Sequence, residues 1–142
     1  MDTTQPEPPP VDPEVLDMLT SLQEPGEPDL VVELVTLFLR DTPERLQALL
    51  AQPLDGSQTA GVAHAIKGSA GNLGAMVLQE RASALEQAAH GGSHPDRLAA
   101  LADALHAEYA RVEGHLKGVL AERVATDSSA RWGRRAPGGA QY

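Results

Sequence analysis

The stretch GVAHAIKGSAGNLGA, residues 61–75, decides how this chain is read. At about 100° per residue around a helix axis, Val62, Ala63, Ile66, Ala70 and Leu73 fall within roughly one 100° arc. An apolar arc of that width must face a core. His64, Lys67, Gly68 and Gly71 fall within a similar arc on roughly the opposite side. The spacing therefore predicts a helix, roughly Ser57 to Leu73, with His64 projecting from its polar face rather than sitting in a core.

Working outward, the neighbouring segments carry the same kind of periodicity. Asp12-Pro13 is a helix start: a capping side chain precedes a residue already fixed at helical φ. Val15, Leu16, Leu19 and Leu22 continue at three- and four-residue spacing until Pro25-Gly26 stops a short first helix, expected to cover one end of a bundle. Pro28-Asp29 opens a second helix whose apolar set is Leu30, Leu34, Leu37, Phe38, Leu46, Leu49 and Leu50. Asp41-Thr42-Pro43 allows a kink inside one long helix or a break with Thr42 as a new cap; the same face stays apolar on both sides, so a kink is expected. After the linker Pro53–Gly56 and the His64 helix, Gly74 acts as a stop. A fourth helix runs from Met76 to His90 with Leu78, Ala82, Leu85 and Ala89 inward, and Gly91-Gly92 closes it. Ser93, His94 and Pro95 begin a fifth, striped by Leu98, Leu101, Leu105, Val112, Leu116 and Leu120. Short links between long amphipathic helices force antiparallel neighbours. The expected fold class is all-α, an antiparallel up-down four-helix bundle with a short additional N-terminal helix.

The ends differ in composition. Residues 1–11, rich in proline, read as a disordered leader. Residues 126–142 (TDSSARWGRRAPGGAQY) have no apolar period and are expected to be a disordered tail. Arg131, Trp132, Arg134 and Arg135 in that tail read as a solvated cluster. One helical domain, 12–125, remains between them.

Composition narrows the function classes. Hydrophobic residues make up 42% of the 142 positions but aromatics only 3%, so the apolar content is mostly Ala, Leu and Val, which suits helices. A net charge of −9 makes nucleic acid and anionic membranes poor partners. The absence of cysteine excludes disulfides, thiolate catalysis and cysteine-ligated metals. The N-terminus has no secretory pattern, and LVVELVTLFL, residues 30–39, falls well short of the ~20 apolar residues of a membrane span. A cytoplasmic protein is expected.

The His64 face holds the chemistry. Each of Gly68 and Gly71 costs up to about 1 kcal/mol relative to Ala in a helix interior. Both lie on the side of His64, one and two turns along, where bare backbone lets another molecule approach closely. Lys67 sets a cation one turn from the ring. Imidazole, a nearby cation and cleared space are what a transient phosphohistidine needs, since phosphoryl transfer asks mainly for positioning and charge stabilisation. The other histidines carry no such signal. His90 and His94 flank a loop with no carboxylate at ligand spacing to both, and His106 and His115 miss the i,i+4 pairing of a helical metal site.

HAIKGSAGNLGA, residues 64–75, resembles the H-x-x-K-G-S/A-x-G/A-x-x-G signature of histidine phosphotransfer (HPt) domains. The resemblance extends in pattern over about residues 12–125, with Leu37-Phe38 before the site and Ala84-Leu85-Glu86 after it. It implies a four-helix bundle with an extra N-terminal helix, phosphorylation of His64 on Nε2, phosphoryl or partner binding by Lys67, and an approach cleared by Gly68; a partner docking over the exposed face of this helix would contact Gly68 and Gly71. Glu86 stands where many members carry Glu or Gln, and could accept a hydrogen bond from His64 Nδ1–H to hold the tautomer that leaves Nε2 free. An exposed glutamate paired with Arg81 or with nothing is the competing account.

The implied partners are receiver domains of response regulators and hybrid histidine kinases. Phosphate would arrive from a receiver aspartate or a kinase and leave to a response-regulator aspartate. The chain would act as a monomeric carrier rather than an enzyme, with no cofactor of its own, since Mg²⁺ would belong to the receiver. Two other classes compete. One is the phosphoacceptor segment of a chemotaxis-type histidine kinase, although 142 residues leave no room for an ATP-binding domain. The other is a non-catalytic helical adaptor, which gives no reason to keep His64, Lys67 and two glycines on one face.

Overall fold

The computed structural model describes residues 8–51 and 55–139, with side chains for 8–50 and 55–125. Five helices follow in order: α1 (Pro13–Ser21), α2 (Leu30–Ala51), α3 (Gly56–Leu73), α4 (Met76–His90) and α5 (Pro95–Gly139). There is no strand among the described residues. The helix α3 packs on α4, α4 on α5, and α2 on both α3 and α5, so the four long helices close a ring around one core. The short α1 packs on α2.

Local chemistry fixes where the helices begin. Asp12 caps α1 by accepting from the Glu14 amide at 2.9 Å. Asp29 does the same for α2 through the amides of Val31 and Val32, at 2.9 and 3.2 Å. Asp55 starts α3, accepting from Ser57 and Gln58 at 2.8 and 3.2 Å. Each carboxylate satisfies donors that have no partner inside the helix and meets the positive end of its dipole.

Gly74 ends α3 in the left-handed region, at φ +76°, as expected of a glycine stop. Its position is also crowded: a Cβ there would lie 2.8 Å from Val15 of α1. The Asp12 amide donates to the Gly74 carbonyl at 2.8 Å, which seats the start of α1 on the α3–α4 corner. Leu16 and Leu19 are buried beneath it, and α1 covers one end of the bundle.

The core follows the predicted faces of α3, α4 and α5 closely. Ala63, Ile66, Ala70 and Leu73 are buried on α3, with Val62 partly so, and Leu78, Ala82, Leu85 and Ala89 on α4. Tyr109 joins the α5 stripe, its ring 5.7 Å from that of Phe38. Burial pushes the Tyr109 hydroxyl up to about 12, with Glu113 adding to it.

One expectation is corrected. On α2 the inward row is Val31, Val35, Phe38, Thr42, Leu46 and Leu49, while Leu37 and Leu50 are exposed. Eight apolar residues among the ten from Leu30 to Leu39 do not single out one face, and the compact β-branched valines fill the interior instead. Pro43 lies inside one continuous α2, as the unbroken face requires. Val11, assigned to the leader, is only 1% exposed, because the Asp12–Gly74 bond draws it into the core. The helix α5 continues to Gly139. The apolar stripe ends near Leu120, and beyond it propagation adds one backbone bond per residue without new nucleation. The Arg131–Arg135 cluster has its side chains outside the described residues, as residues 1–7 lie outside them altogether.

Candidate functional site

Small residues bring α3 and α4 close together. Ala60, Ala63 and Ala70 on one helix, and Ala82 and Ala89 on the other, are all buried, and small contact residues shorten the distance between helix axes. The seam is tight at both ends. A Cβ on Gly56 would come 3.0 Å from the Ala89 carbonyl oxygen, and one on Gly71 would come 2.8 Å from the Gln79 amide nitrogen. Rising numbers on α3 meet falling numbers on α4, so this pair runs antiparallel.

That proximity sets Glu86 of α4 against the polar face of α3. Its Oε2 lies 2.9 Å from His64 Nδ1. Its Oε1 lies 2.6 Å from Lys67 Nζ. The His64 side chain is 69% exposed, whereas that of Glu86 is only 13% exposed, so the carboxylate sits beneath the ring and braces it from the protein side. The Lys67 ammonium holds the Glu86 carboxyl below its ordinary value; desolvation works against this, and the His64 ring works with it. Glu86 is therefore ionised at neutral pH and acceptor-only. The nitrogen it faces must be the protonated one, which leaves the lone pair on Nε2. No hydrogen bond to Nε2 is formed among the described residues.

The glycines divide. Gly68 is exposed and a Cβ there would meet nothing within 4 Å. No internal packing explains its lack of a side chain, so the space it clears faces outward. Gly71 has an internal neighbour in Gln79 and is partly buried. Close approach of α4 accounts for at least part of its smallness.

Three features had not been expected from the sequence. An open groove of about 500 Å³ runs between α3 and α4 beside the ring, lined among others by Ser57, Gly61, His64, Glu86 and His90. His90 Nε2 stands 3.9 Å from the same Glu86 oxygen that His64 uses. The i,i+4 interval between Glu86 and His90 was the available signal. A smaller groove of about 190 Å³, between α2 and α3, is lined in part by Leu34, Leu37, Phe38 and Asn72. Among the described residues, no group of three or more His, Asp or Glu side chains is arranged to hold a metal ion. No described helix is long and apolar enough to cross a membrane.

A family model described as the Hpt domain matches residues 33–115, more than half of the chain. The chain belongs to the Hpt domain family. Histidine phosphotransfer in two-component signalling is the activity that goes with this membership. Hpt proteins are phosphocarriers without a catalytic domain of their own, and they interact with receiver domains in phosphorelays. This Hpt domain is similar to the crystal structure of histidine-containing phosphotransfer protein B (HptB) from Pseudomonas aeruginosa PAO1. The identity is 29% and the TM-score 0.71, over 82% of this chain and 98% of that one. No curated protein matches the chain.

Proposed function

We propose that His64 is the phosphoacceptor, taking a phosphoryl group on Nε2 from a receiver-domain aspartate, or from a histidine kinase, and passing it to the aspartate of a response regulator. The observation that carries this reading is the 2.9 Å contact between Glu86 Oε2 and His64 Nδ1, which leaves Nε2 unpartnered on the exposed side. In the forward step the Nε2 lone pair attacks phosphorus, the N–P bond forms, and the P–O bond to the aspartyl carboxylate breaks. The ring keeps its Nδ1 proton and becomes cationic. Glu86 already faces that proton, so it stabilises charge that develops only as the bond forms, which is where electrostatic assistance accelerates a reaction.

Lys67 is shared between two anions in this reading. It pairs with Glu86 in the free domain and lies one turn from the ring, within reach of a phosphoryl group on His64. The receiver docks over the exposed face of α3, crossing Gly68 and reaching toward Gly71. Any Mg²⁺ serving the aspartyl phosphate is placed with the receiver, and the carrier works as a monomer in the cytoplasm.

Incubation with a phosphorylated receiver domain tests the reading. The expected product is an acid-labile, base-stable phosphate on this chain, absent in His64→Gln. Equal labelling of His64→Gln would overturn it. Glu86→Ala should keep the label but slow its appearance about tenfold, equivalent to ~1.4 kcal/mol of barrier; an unchanged rate would remove Glu86 from the mechanism.

A further inference from the structure

The Glu86 carboxylate is contacted from three sides. Lys67 and His64 reach it from α3, and His90 reaches it from one turn further along α4. These are the charged or titratable groups within ion-pair distance of it among the described residues. Lys67 occupies Oε1, so the two imidazoles share Oε2, at 2.9 and 3.9 Å. His90 stands in the last turn of α4, the end of a helix at which unpaired carbonyls favour a cation. Its side chain is 69% exposed and opens on the same groove as His64. No packing role holds it there.

We propose that His90 is a positioning residue for phosphotransfer, acting through Glu86: in its charged form it draws on the oxygen that holds His64 Nδ1–H and so weakens the bracing of the phosphoacceptor. This rests on His64 being that acceptor. A carboxylate oxygen has room for two donors, so the effect is one of shared charge rather than displacement. Neutral His90 leaves Oε2 to His64 alone. Imidazoles change charge between pH 5 and 8, so the coupling makes the rate of transfer depend on the charge state of His90 in that range.

Two surface variants test this, with the same phosphorylated receiver as donor so that its own pH dependence cancels. His90→Gln removes the charge, and His90→Lys makes it permanent. The ratio of wild-type to His90→Gln phosphorylation rates should be close to one at pH 8. At pH 6 it should fall by about twofold, the effect of an exposed ion pair of roughly 0.5 kcal/mol. His90→Lys should be slower than His90→Gln at both pH values by a similar factor. A wild-type to His90→Gln ratio that stays constant from pH 6 to pH 8 would overturn the proposal while leaving phosphotransfer intact. Absence of label on the wild-type chain would instead overturn the role of His64. A second readout needs no receiver. The His64 ring-nitrogen NMR signals should follow different curves against pH in the wild type and in His90→Gln. Superimposable titration curves would refute the coupling.

Discussion

Replacing Gly68 should move stability and activity in opposite directions. Its backbone is helical, its position is exposed, and a Cβ would meet no atom within 4 Å. Gly68→Ala therefore adds no clash and recovers the conformational entropy that glycine loses in a helix interior. The gain is up to about 1 kcal/mol, or roughly 4 °C in Tm for a domain of this size. In the proposed complex the same Cβ points into the interface. A methyl group there holds the receiver off the ring by a fraction of its own size, and Gly68→Gln, with a long polar side chain, should slow transfer at least about tenfold. The assay pairs thermal unfolding of each variant with the rate of phosphoryl transfer from one receiver. Gly71→Ala is the internal control. Its Cβ must push aside the Gln79 amide, 2.8 Å away, so its gain in stability should be smaller. Normal transfer by a folded Gly68→Gln domain would refute the clearance argument. A loss of stability in Gly68→Ala would refute the claim that nothing inside the bundle needs the space.

Gly74→Ala should cost about 2–4 kcal/mol in urea unfolding, since it forces a left-handed backbone on a residue with a Cβ and drives that Cβ into Val15; a loss below about 1 kcal/mol would mean α1 is not seated on the corner. Asp29→Asn keeps the helix cap but loses the charge paired with Arg123, whose Nη1 lies 2.9 Å from Oδ2. Burial pushes the Asp29 carboxyl up, but the Val32 amide and Arg123 outweigh it and leave it below the ordinary 3.8. With the folded value depressed, the stabilisation is full above about pH 3.8 and is lost as pH falls through the lower folded value. Wild type and Asp29→Asn should therefore differ in urea stability at pH 7 and converge near pH 2; a gap that survived acid would exclude the ion pair as its cause.

The sequence revealed faces better than neighbours. On α3 and α4, small and large apolar residues alternate with polar ones at helical spacing, so the inward rows could be read directly and His64 fell on the outer side. On α2 the run from Leu30 to Leu39 is apolar almost throughout, and periodicity could not separate Val31 and Val35, which pack, from Leu37, which does not. Val11 was hidden for another reason: one apolar residue behind a run of prolines has no period, and only the bond from Asp12 to Gly74 brings it inside. The site was legible along one helix and not across two. His64, Lys67 and Gly68 share a turn, whereas the contact of Glu86 with both His64 and Lys67 depends on how closely an alanine-lined seam lets α3 and α4 approach. The family resemblance, not periodicity, marked Glu86, and it carried no distance; the Gln79 side chain against Gly71 had no sequence signal.

The one-sidedness of α3 limits how the carrier can be used. Its inner row is buried in the core, so in the proposed role both partners reach His64 from the solvent side, over Gly68 and the mouth of the α3–α4 groove. A donor and an acceptor approaching the same ring from that direction cannot be present together. They must take turns, and the loaded carrier has to leave one before it meets the other. Tight binding to either would stall the relay, so the advantage lies with brief, weak encounters. In the proposed role the added charge arrives on the solvent side of α3, away from its buried inner row, so loading asks for no repacking of the core. A partner then has little besides the phosphoryl group itself by which to tell the two apart.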